Sequence, residues 1–103
     1  MSFWTKKIEM NIISDLKQAI ESLHECTASY SETADVIEKH EGAIVWEGTI
    51  HIFGVDHPDT DTCYAWSSPI EGSSKRKFYA VLHIPPVDSP EAAVRASIVA
   101  DNK

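Results

Sequence analysis

The sequence predicts an α+β domain with an N-terminal helix, a four-stranded antiparallel sheet and a C-terminal helix, both helices packed on one sheet face. Apolar residues spaced by three and four open the chain, and alternating apolar and polar residues fill its middle. A proline-marked helix start then follows a Pro-Pro stop.

The first element is carried by "NIISDLKQAIESLHEC". Ile13, Leu16, Ile20 and Leu23 form one stripe, and Asp15, Lys17, Gln18, Glu21 and Ser22 face away from it. Residues 1–9 read as a frayed lead-in, with Met10 as an alternative start of translation. From Thr27 the period changes to two, placing Ala28, Tyr30, Ala34 and Val36 on one parity of a first strand that ends at a Glu41-Gly42 turn.

"AIVWEGTIHIF" is the clearest strand, with Ile44, Trp46, Ile50 and Ile52 on its core face and Val45, Glu47, Thr49, His51 and Phe53 on the other. Gly48 in its middle predicts a bulge or a close approach, because it has no side chain to pack. "TCYAWSS" supplies a third strand closed by Pro69, and "KFYAVLHI" a fourth in which Phe78, Ala80, Leu82 and Ile84 alternate with Tyr79, Val81 and His83. Pro85 and Pro86 end the sheet because neither can donate to a ladder. Ser89 as N-cap, Pro90 at the first helical position and Glu91 beside the positive dipole end then begin a slim, alanine-rich second helix.

The length of 103 residues suits one domain, 1–103, whose apolar content of 43% supports a core. Sixteen acidic residues against nine basic ones give a formal charge of −7, which disfavours direct nucleic-acid binding. The run Lys75, Arg76, Lys77 is the one dense basic stretch and reads as a hairpin rim. No segment approaches the ~20 apolar residues that span a bilayer, and the start lacks the apolar core of a secretory signal, so a cytoplasmic location is expected. Cys26 and Cys63 lack CxxC spacing and are expected to be free, inert thiols.

Large apolar residues on both strand parities predict that the sheet face away from the helices needs cover. Val45, Phe53, Tyr64, Trp66, Tyr79 and Val81 are therefore ligand or interface candidates, and a homodimer through that face or a sheet edge is the simplest cover. His51, His83, Tyr79 and Glu47 are the catalytic candidates, since imidazoles titrate near neutrality and a carboxylate can orient one. "DHPDTDTCYAW" offers possible ligands in Asp56, His57, Asp59 and Asp61. It lacks the alternate ligands, central Gly and terminal Glu of a calcium loop and the paired Cys or His of a zinc site, so it reads as a solvated turn.

The element order superficially resembles the double-stranded RNA-binding module. That module depends on basic residues at the start of its last helix, where this chain has "DSPEAA". The short acidic chain is also similar in style to cargo of bacterial mobile elements, a likeness that implies no mechanism. Three functions are expected in turn: a non-catalytic homodimeric interaction module with a possible small-molecule or protein ligand, a small enzyme built on the histidines, or an acidic inhibitor that imitates nucleic acid toward a basic partner. No metal, cofactor or membrane contact is expected.

Overall fold

The structure, a computed structural model, describes the backbone of residues 3–70 and 72–101 and the side chains of residues 12–70 and 72–100. The elements are α1 (Phe3–His24), β1 (Ala28–His40), β2 (Ala43–His57), β3 (Thr60–Pro69), β4 (Arg76–Leu82) and α2 (Pro90–Asp101). The four strands form one antiparallel meander in the order β1-β2-β3-β4, and both helices pack against it. Residues 3–9, expected to be a frayed lead-in, form the first turns of α1, and residues 1 and 2 lie outside the described ones.

Local chemistry explains the boundaries. Glu41 and Gly42 both take positive φ, 53° and 81°, which matches the twist of a two-residue hairpin between His40 and Ala43. Ser89 Oγ accepts the Ala92 N–H at 3.1 Å, so the predicted cap holds the first turn of α2.

The strand register assigns each side chain to a face. His51, Ala65 and Ala80 form one row across β2, β3 and β4, and Phe53, Cys63 and Leu82 form the next on the same side. Leu16 and Ile20 of α1 pack there. Ile52, Tyr64 and Val81, with Trp66 and Tyr79, lie on the opposite side together with Ile50. Ala93 and Val94 of α2 pack on those.

The helices thus take opposite faces, which corrects the expectation that they share one. Alternation reveals that both parities are apolar, but not which parity each helix covers. The second apolar face is therefore explained within the chain. β1 serves both layers because its register shifts between Tyr30 and Glu32. Ala28 consequently packs with α1, whereas Val36 packs with α2.

The sheet is continuous at one end only. β2 pairs with β3 from His51 to His57, whereas β1 and β2 stay paired to the His40/Ala43 turn and β3 and β4 to Pro69/Arg76. The chain thus splays into two ribbons. The α2 side of the splay carries a row of rings: Trp46 meets Trp66 edge-on at 6.0 Å, and Trp66 stacks on Tyr79 at 5.0 Å and 5°. Gly48 is the close approach its sequence position predicts, since a Cβ there would sit 2.9 Å from the far edge of the Trp46 indole.

Candidate functional site

The four catalytic candidates are not brought together. His51 and Glu47 share the α1 side of β2, with Glu47 exposed, whereas Tyr79 and His83 lie on the α2 side of the sheet. His51 lies beside Tyr30, with ring centroids 6.3 Å apart and ring planes tilted by 53°. His83 instead meets Tyr64, whose hydroxyl lies 2.6 Å from its Nδ1.

Tyr64 is buried, and that burial, with Asp88 and Glu91 nearby, pushes its phenol above the usual range. The hydrogen bond shared by the Tyr64 hydroxyl and Nδ1 fixes the His83 imidazole against the core. This pairing was invisible to parity alone because it depends on how β3 aligns with β4. His83 also donates its backbone N–H to the Thr62 carbonyl at 2.9 Å.

Of the interface candidates, Phe53, Tyr64 and Trp66 are buried within the chain and Tyr79 and Val81 are half-buried on the α2 side. Val45 alone among them is exposed. It lines a groove with Glu38, Arg95, Ile98 and Val99, in which the Arg95 guanidinium lies 3.1 Å from Glu38.

The aspartate-rich hairpin is occupied by its own turn chemistry. His57 Nδ1 accepts the Asp59 N–H at 3.1 Å, and Thr62 Oγ1 donates to Asp61 at 2.9 Å. Asp56 Oδ1 accepts the Thr27 N–H at 2.7 Å, and bonding from Thr27 holds its carboxyl below the usual range. Among the described residues no group of three or more His, Cys, Asp or Glu side chains could hold a metal ion. Both thiols are free: burial pushes Cys63 up to about 12 and raises Cys26, so neither is poised as a thiolate.

Sequence reasoning missed what lies along the β4 edge. Since His83 bonds toward β3, alternation turns the backbone groups of Phe78, Ala80 and Leu82 outward. The Ala80 carbonyl accepts from His24 Nε2 at 2.9 Å and the Leu82 carbonyl from the Ile84 N–H at 2.9 Å, so α1 and the chain itself cap two outward acceptors. Beside this edge is a groove of about 320 Å³, lined by Leu23 of α1, Phe78 and Ala80 of β4, and Ala96 and Ala100 of α2. Leu23 is 65% exposed and Phe78 39%. The only sequence signal for it was the alanine content of the second helix.

No helix among the described residues is long and apolar enough to cross a membrane. No protein-family model, curated protein or solved structure matches the chain.

Proposed function

We propose that the chain is a non-catalytic interaction module that forms a homodimer along the β4 edge. The observation that carries this reading is the position of Leu23 and Phe78, exposed beside a groove of alanines, while the centres of both sheet faces are already covered by the chain's own helices. A two-fold axis through the edge would set the large Phe78 ring of each copy against the small residues Ala80 and Ala96 of the other. Small residues let such elements approach closely, and burying the two exposed side chains contributes the hydrophobic gain. The caps on the Ala80 and Leu82 carbonyls direct this association toward side-chain packing and away from strand addition.

The acidic charge supports a protein partner over a nucleic acid. Light scattering behind a sizing column, over a dilution series, tests the dimer. Wild type is expected to elute as a dimer, and Phe78→Asp as a monomer with unchanged circular dichroism. A wild type that stays monomeric at every concentration, or a Phe78→Asp variant that stays dimeric, would overturn the reading.

A further inference from the structure

We infer that the opposite edge of the sheet, β1 between its two bulges, takes up a basic extended segment of another protein as a fifth strand. This extends the interaction-module reading but uses a surface at the far side of the sheet from the β4 groove.

β1 ends the strand order, so among the described residues one of its edges has no strand beside it. Register irregularities fall between Tyr30 and Glu32 and between Glu38 and Lys39. Between them the ladder to β2 runs without interruption from Glu32↔Ile52 to Glu38↔Trp46. Every second residue of that regular stretch turns its N–H and C=O away from β2, which is the template that strand addition uses. No proline interrupts it.

The charge around this edge selects the occupant. From Ser29 to Glu47 the chain carries five acidic side chains, Glu32, Asp35, Glu38, Glu41 and Glu47, against Lys39, and Arg95 of α2 pairs with Glu38 at 3.1 Å, so the attraction on the α2 side rests on Glu32. The register sets Glu32 and Glu38 toward the α2 side and Asp35 and Glu47 toward the α1 side. An added strand therefore meets acids whichever way its side chains point. Asp35 is already shaped as an acceptor, taking the Thr49 hydroxyl at 3.1 Å, and Glu32 is exposed.

The same charges argue against a second copy here. Antiparallel pairing of two β1 edges centred on Asp35 would set Asp35 against itself and Glu32 against the other copy's Glu38, which is repulsive. The basic start of β4, Arg76 and Lys77, has the right sign, but two of that strand's outward carbonyls are engaged by His24 and Ile84. A foreign strand rich in arginine or lysine fits best.

The test uses the full chain labelled with nitrogen-15 and an acetylated heptapeptide of alternating arginine and valine. Its controls are the same peptide with glutamate for arginine and one with a central proline. Amide shifts are expected to concentrate in Glu32–Glu38, with affinity falling as salt rises. The glutamate and proline peptides should not bind. Glu32→Lys combined with Asp35→Lys should weaken binding by about tenfold. If that double variant fails to fold, Glu32→Gln with the wild-type salt series gives the same reading at smaller amplitude. Equal binding of the glutamate peptide, shifts centred on the Asp56–Asp61 hairpin or on β4, or no binding of the arginine peptide would each overturn the inference. Because the shifts are read on amides of β1, a failed dimer at β4 leaves the result interpretable.

Discussion

The two faces of the sheet are built from the same strands and solve the same packing problem in opposite ways. On the α1 side the sheet offers a patch of small groups, Cys63, Ala65 and Ala80, flanked by Phe53 and Leu82, and the helix fills it with Leu16 and Ile20. On the α2 side the sheet brings Tyr64, Trp66 and Tyr79, and the helix is slim, contributing Ala93 and Val94. Interiors pack to near-constant density, so bulk on one surface requires its absence on the other. The centre of each face is thereby covered within one chain, and the exposed apolar side chains lie at the edges and on the splayed β1–β2 ribbon, where Ile37, Ile44 and Val45 stay uncovered.

Substitutions that disturb this reciprocity should cost most. Trp66→Ala removes the centre of the Trp46–Trp66–Tyr79 row and should destabilise by about 3–5 kcal/mol, measured by denaturant unfolding with tryptophan and circular dichroism signals. Ala65→Leu adds bulk under Leu16 and Ile20 and should cost about 1–3 kcal/mol through overpacking. Equal tolerance of leucine and alanine at position 65 would mean the α1 face is not closely packed. Ser89→Ala, which removes the cap that starts α2, should cost about 1 kcal/mol and leave α1 unaffected.

A smaller, pH-dependent effect sharpens the contrast between the helices, because the connection from α1 into β1 is held by carboxylates of α1 and β2, whereas α2 starts from a neutral serine. Glu21 accepts the Ala28 N–H at 3.0 Å and Asp56 that of Thr27 at 2.7 Å, and both carboxyls lie below their usual range. For Glu21 the leading cause is the hydrogen bond from Lys17, 2.7 Å away. A depressed folded-state value means that the stabilisation is present above the unfolded-state carboxylate range and is lost as pH falls through the folded-state one. Unfolding midpoints should therefore drop on acidification, and Asp56→Asn should flatten part of that slope. An unchanged slope would show that the Thr27 bond contributes nothing to stability.

Much of this architecture was legible in the residues. The three-and-four spacing from Ile13 to Leu23, the period-two run through Ile50 and Phe53, the Glu41-Gly42 turn and the Ser89-Pro90 start each encode their own conformation locally. The assignment of helices to faces was not legible, since Phe53 and Ile52 are both apolar neighbours and nothing local says which helix meets which. The same ambiguity hid the pairing of Tyr64 with His83, which needs the β3–β4 register, and the cap that His24 places on Ala80, whose partners are 56 residues apart. The exposed Leu23 and Phe78 looked like ordinary core positions because periodicity marks a stripe without marking where its cover ends.

The central claim is that both faces are used within the chain and that a second copy meets the β4 side. Isotope-filtered NOE spectroscopy on a mixture of labelled and unlabelled chains reads it most directly. The account predicts contacts between copies from the Phe78 ring to the methyl groups of Ala80, Ala96 and Leu23. Contacts between copies centred on Phe53 or Tyr64, which here lie beneath the chain's own helices, would contradict it.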